Sequence, residues 1–223
     1  MIIAIDGPSG AGKSTLAKRL ARELGFTYLD TGALYRALAL KVLRQGVDLA
    51  DDARMAELLS STAIDLREER GKLVVLMDGQ DVAGDIRTPE VSQTASKASA
   101  LGSVRARLLE LQRDLGKRGS VVAEGRDIGT VVFPDAEVKI FLDASVGERA
   151  RRRYQELRAA GRSVQLEETL QEMEERDRRD SERDLAPLCQ AADAVRVDSS
   201  AADAEQVAAI VLDLVNQRRA RKN

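Results

Sequence analysis

The chain has 223 residues, enough to bury roughly 70% of its unfolded surface in one main core carrying small insertions. Charged residues make up 32% and hydrophobic ones 43%, and no apolar run approaches the ~20 residues that a membrane span requires. A net charge of -2 with 3% aromatics excludes the broad basic, stacking surface of a nucleic-acid binder, and the absence of histidine removes the commonest general base and metal ligand.

Ile2 to Ile5 is a short apolar run that stops at a glycine-rich turn. After Lys13 the residues Leu16, Leu20 and Leu24, with Ala17 and Ala21, recur at helical spacing until Gly25. Strand, glycine loop and helix in that order open a parallel α/β sheet. Further strands are predicted at 121–123, 138–142 and 195–197, and helices over 31–44 closed by Gly46, 89–101 opened by Thr88-Pro89, 104–115 opened by Ser103, 146–159 and 203–218. Between them, Ile64, Leu66 and the run 73–77 are β-like and punctuated by Arg70-Gly71 and Asp78-Gly79, which predicts a small antiparallel insertion over 62–87. The opening has no basic lead-in, and the lone Cys189 has no internal partner, so the chain is expected to be cytoplasmic.

Gly7-Pro8-Ser9-Gly10-Ala11-Gly12-Lys13-Ser14 fits the Walker A pattern. Its glycines let backbone N–H groups converge on phosphate at a positive helix N-terminus, with Lys13 reaching the β and γ phosphates and Ser14 offering its hydroxyl to Mg²⁺. Switch GTPases share this loop but need an Asn-Lys-x-Asp tetrapeptide, which is absent; Asp81-Val82-Ala83-Gly84 fits only their weaker element.

Transfer of a phosphoryl group to another phosphate needs no general base, because the acceptor oxygen is already ionised, and guanidinium groups are well matched to the charge involved. Arginines cluster over 149–162 and 176–183. Glu148/Arg152, Glu172/Arg176, Glu174/Arg178 and Glu175/Arg179 also stand at i,i+4, the spacing of a solvated helix face. Arg36, Arg87 and Arg126 lie beside turns and are stronger ligand candidates. Glu124 follows an apolar strand and leads into Gly125-Arg126-Asp127, which places an acid and a basic fork at a strand's carboxyl end; the acid can orient Mg²⁺ through water, or it can pair with Arg126.

Four ordered blocks, 5–13, 29–36, 125–134 and 139–144, closely resemble bacterial cytidylate kinases, and the likeness runs nearly end to end. The resemblance implies a doubly wound five-stranded parallel core over 1–61 and 88–223, an inserted nucleotide-binding part including 62–87, and a short lid at about 150–165. It implies transfer from ATP, with Mg²⁺, to CMP or dCMP, and the chain is expected to be a monomer that binds neither nucleic acid nor membrane. ATP would lie on Gly7, Pro8, Ser9, Gly10, Ala11, Gly12, Lys13, Ser14 and Thr15, with Glu124 reaching the ion through water. Lys13, Arg126, Arg149, Arg152 and Arg153 would neutralise the transferring charge. Arg36 and Arg126 would hold the CMP phosphate beside Thr31; Ser96, Arg105 and Asp127 would face cytosine; Arg176 and Asp180 would face the ribose. Thr31 stands where the family commonly has serine and Glu124 where it has aspartate, so both functional groups are kept. Another small-molecule kinase and a partner-coupled ATPase share the loop, but not the four blocks in order.

Overall fold

The computed structural model describes residues 1–69 and 72–220, so the Arg70-Gly71 turn lies outside the described residues. The chain divides into two compact units, the first formed by Met1–Tyr28 with Gly119–Asn223 and the second by Leu29–Arg118.

The first unit is built on a parallel sheet. Strands β1 (Ile2–Asp6), β2 (Thr27–Asp30), β6 (Val121–Gly125), β7 (Val138–Asp143) and β8 (Val195–Asp198) lie in the order β2-β6-β1-β7-β8. β1 pairs in parallel with β6 and β7, and β7 with β8. Ile3, Ala4, Ile5, Val121, Val122 and Ala123 are all buried, because helices cover a parallel sheet and its strands read as continuous apolar runs. The α/β expectation holds.

Helices α1 (Lys13–Leu24), α6 (Val146–Ala159), α7 (Leu166–Glu182) and α8 (Ala204–Ala220) complete this unit; α1 and α8 pack on each other and against β6 and β7. Gly25 closes α1 in the left-handed conformation that glycine adopts without penalty. Ser145 caps α6 through its hydroxyl, and Asp203 caps α8 by accepting from Glu205 and Gln206 N–H. A π-turn, Ile128–Val132, follows β6. Thr27 N–H donates to Ser120 O at 3.0 Å, so the chain re-enters the unit beside the point where it left.

The second unit holds α2 (Thr31–Gln45), α3 (Asp52–Ser60), α4 (Pro89–Ala98) and α5 (Gly102–Gly116), with strands β3 (Ile64–Glu69), β4 (Lys72–Met77) and β5 (Gln80–Asp81) in one antiparallel sheet. The antiparallel strands fall within 62–87. Asp78 and Gly79 both have positive φ and join β4 to β5, the two-residue geometry that matches strand twist. Buried Lys41 pairs with Asp78 at 2.8 Å and donates to Ser61 O. Leu34, Leu38, Met55, Leu58, Ile86 and Leu108 form the core.

Several boundaries differ from the sequence reading. α4 stops at Ala98, not 101, because the next N–H groups turn back three residues to Lys97 O and Ala98 O. α5 starts at Gly102, so Ser103 lies inside the first turn rather than capping it. The short elements β2 and α3 carry no long periodic pattern, and the residue-level reading left them out.

Candidate active site

β6, β1 and β7 are neighbours, and near their carboxyl ends Gly125, Asp6 and Phe141 lie side by side, where ligand sites form on α/β sheets. The glycine loop begins at the end of β1. Gly7 has φ +146 and a Cβ there would lie 1.9 Å from Leu142 O, so only glycine fits. Gly12 caps α1 in the left-handed region with no side-chain hydrogen bond, which leaves the first N–H groups of the helix available to an anion. Ser14 and Thr15 are exposed beside them.

Lys13 is buried and its Nζ donates to Pro8 O at 2.6 Å. Burial pushes the ammonium well below the usual lysine range, and the neighbouring Arg126 and Arg176 push it further, against the pull of Glu124 and Asp6. The site thus disfavours the lysine's charge, through burial first and the nearby guanidinium groups second. Glu124 is buried on β6 and accepts from Tyr28 Oη at 2.6 Å, which fixes the direction of its carboxylate.

Arg126 does not pair with its acidic sequence neighbours. Its Nε donates to Asp180 Oδ2 on α7 at 2.9 Å, and Arg176 Nε approaches the same oxygen at 3.9 Å. Asp180 has a side chain only 4% exposed; burial raises its pKa, but Arg126, Arg176 and Arg183 outweigh burial and hold it below the ordinary carboxylate range. The structure thus gathers Lys13 from the start of α1, Glu124 and Arg126 from the end of β6, and Arg176 and Asp180 from α7, three stretches of the first unit. Arg183, which the sequence reading placed in the 176–183 arginine cluster without a site role, adds its charge to them.

The α6 arginines differ among themselves. Arg149 is buried, donates to Ala144 O and Ser9 O, and pairs with Asp177 of α7 at 2.5 Å. Arg152 donates to Glu148 and to Ser199, whose hydroxyl donates to Ala11 O at 2.9 Å. Both arginines thereby brace the phosphate loop from behind. Arg153 pairs with Glu156 on the helix surface. Of the i,i+4 pairs read from the sequence, Glu148–Arg152 and Glu175–Arg179 form, while Arg176 turns to Asp180.

In the second unit Asp30 caps α2 through Ala33 N–H and pairs with Arg36 at 2.8 Å. Thr31, Ser96 and Arg105 are buried polar side chains, with Arg105 donating to Ser99 O at 3.4 Å. Asp6, Tyr28, Asp30, Asp177 and Ser199 escaped the sequence reading. Only Asp6 carried a signal, its place immediately before the glycine loop.

A cytidylate kinase family model matches residues 3–217. A cytidylate kinase of Pelotomaculum thermopropionicum is 51% identical over 218 residues, covering 97% of this chain and 96% of that protein. One from Solibacter usitatus is 52% identical over 220 residues, covering 98% and 93%. The crystal structure of an uncharacterized protein from Eubacterium ventriosum shares the fold, with a TM-score of 0.53 at 15% identity over 97% of this chain and 98% of that one. With a matching model across almost its whole length and relatives at half identity, the chain belongs to the cytidylate kinase family.

Proposed function

We propose that this chain transfers the γ-phosphoryl group of Mg²⁺-ATP to the phosphate of CMP or dCMP, giving ADP and the corresponding diphosphate. The observation that carries this reading is the cluster of buried Lys13 with half-buried Arg126 and Arg176 at a Walker A loop in a chain of this family.

The acceptor phosphate oxygen attacks the γ phosphorus while the bond from that phosphorus to the β–γ bridging oxygen breaks, and ADP carries the electron pair away. No side chain has to remove a proton, which suits a chain without histidine. The protein's task is positioning and charge neutralisation. The phosphate loop with Lys13 holds the donor and Arg36 and Arg126 the acceptor phosphate, and of Arg149, Arg152 and Arg153 the last is the least committed to the fold. Arg149 and Arg152 act by bracing the loop.

Mg²⁺ would come bound to the nucleotide and would neutralise phosphate charge there. The Ser14 hydroxyl and the Glu124 carboxylate are hard oxygen donors of the kind that ion takes, Glu124 acting through water. Asp127, Ser96 and Arg105 read cytosine, and a uracil edge would leave a buried polar group mismatched at a cost of ~1–3 kcal/mol.

The test is a coupled ADP-release assay with Mg²⁺-ATP and, separately, CMP, dCMP, UMP, AMP and GMP. CMP or dCMP is expected to turn over about tenfold faster than UMP, the rate equivalent of ~1.4 kcal/mol. Strongest turnover with AMP or GMP would overturn the base assignment.

A further inference from the structure

Asp6 ends β1 and directly precedes Gly7, and its carboxylate is buried. Oδ1 accepts from Ile128 N–H and Oδ2 from Gly129 N–H, each at 2.7 Å. These donors open the π-turn directly after Arg126 and Asp127. Strand register sets Gly125 opposite Asp6. The segment 125–129 is thus tied to β1 by backbone pairing at one end and by the Asp6 side chain at the other, with Arg126 and Asp127 between.

The contact is tightly packed. A Cβ on Gly129 would lie 3.3 Å from Asp6 Oδ2 and 3.1 Å from Lys139 Cδ. Lys139 in turn bonds Pro134 O and Asp193, holding the far side of the turn. A carboxylate is the side chain whose two oxygens both accept and neither donates, so it suits two converging N–H groups; an amide would set a donor against one of them.

This arrangement is costly to the fold. Burial pushes the Asp6 carboxyl up to about 6, with Asp127 adding to the effect, while the Gly129 and Ile128 N–H groups and Lys13 act against it. A charge kept in a site that penalises it, joining the start of the donor loop to the turn that carries the acceptor-binding residues, is better explained by function than by stability.

We propose that Asp6 is a positioning residue that fixes the Arg126-Asp127 turn relative to the phosphate loop, setting the distance between acceptor and γ-phosphoryl group. This rests on the assignment of Arg126 and Asp127 to CMP given above. Asp6 touches neither substrate; it acts through the turn.

The experiment compares wild type, Asp6→Asn and Gly129→Ala in the full chain. It measures KM for CMP and for ATP, kcat, the CMP-to-UMP ratio, melting temperature and affinity for a fluorescent ATP analogue. Asp6→Asn is expected to raise KM for CMP about tenfold and to narrow the CMP-to-UMP ratio, as the loss of one charge-assisted hydrogen bond implies. Its analogue affinity should stay within about threefold of wild type, since a change of under ~0.7 kcal/mol is expected where no contact is lost. Gly129→Ala, which crowds the same carboxylate, should shift the same ratios to a smaller extent. Unchanged CMP kinetics in Asp6→Asn, or a parallel loss of ATP-analogue and CMP affinity with a lowered melting temperature, would overturn the proposal. Should Asp6→Asn fail to fold, an unaltered CMP-to-UMP ratio in Gly129→Ala would overturn it. A wild-type enzyme that ignores CMP would instead refute the assignment on which it rests.

Discussion

Replacing Lys13 by alanine is expected to reduce phosphoryl transfer by about 10²–10³-fold or more, the range seen when one preorganised charge donor is removed from a transition state. Lys13 is the first residue of α1, and its ammonium is held to Pro8 O near the charges of Arg126 and Arg176. That charge is costly where it stands, and a triphosphate is the ligand that relieves it. Alanine removes the charge and its cost together and has high helix propensity, so the fold should survive. The check is kcat in the ADP-release assay beside the melting curve. Turnover above about 1% of wild type in a folded variant would contradict the role, because a loss so small falls below the range expected for such a donor.

Asp180→Asn is expected to destabilise the protein by about 3 kcal/mol, as breaking a buried pair leaves its partner's charge uncompensated. Asp180 lies between Arg126 and Arg176, with Arg183 adding to the field, and an amide cannot neutralise three guanidinium groups. At ~2–4 °C per kcal/mol for a chain of this size, the melting temperature should fall by roughly 6–12 °C. The sign with pH follows from the depressed pKa. The ionised carboxylate stabilises the fold fully above its unfolded value near 3.8, and that contribution is lost as pH falls through the lower folded value. Wild type and variant should therefore converge in acid. Melting curves at pH 7 that agree to within a degree would show that the pair is energetically idle.

The phosphate loop, β1 and α1 were legible because each signal there is local: an apolar run, a glycine spacing, a 3.6-residue period. The α6 boundaries, 146–159, were legible as well, and the structure adds the Ser145 cap that opens the helix. α7 showed only its ladder of charge pairs, since Thr169, Met173 and Asp180 are its few buried residues and give too thin an apolar stripe to set boundaries. The side-chain partners of the site were not legible. Tyr28 meets Glu124 across 96 positions and Ser199 meets Ala11 across 188, and no local pattern records such pairings. For the same reason the arginine cluster of α6 read as one group, whereas the fold separates Arg149 and Arg152, which brace the loop, from Arg153 on the helix surface.

The hydrogen bond between Thr27 and Ser120 also bears on the order in which the chain folds. The central pairing of the parallel sheet joins Ile2 to Val121, so it closes a loop of about 120 residues, whereas Leu29–Arg118 is one uninterrupted stretch whose antiparallel strands meet across a few positions. Closure entropy grows with loop length, and distant contacts form slowly. During synthesis the whole of Leu29–Arg118 is also made before Val121 exists to pair with β1. The inserted unit is therefore expected to gain protection first in pulse-labelled hydrogen exchange, and the nucleotide-holding sheet to close around an excursion that has already folded. Protection of β1 and β6 amides ahead of those in β4 would reverse that order.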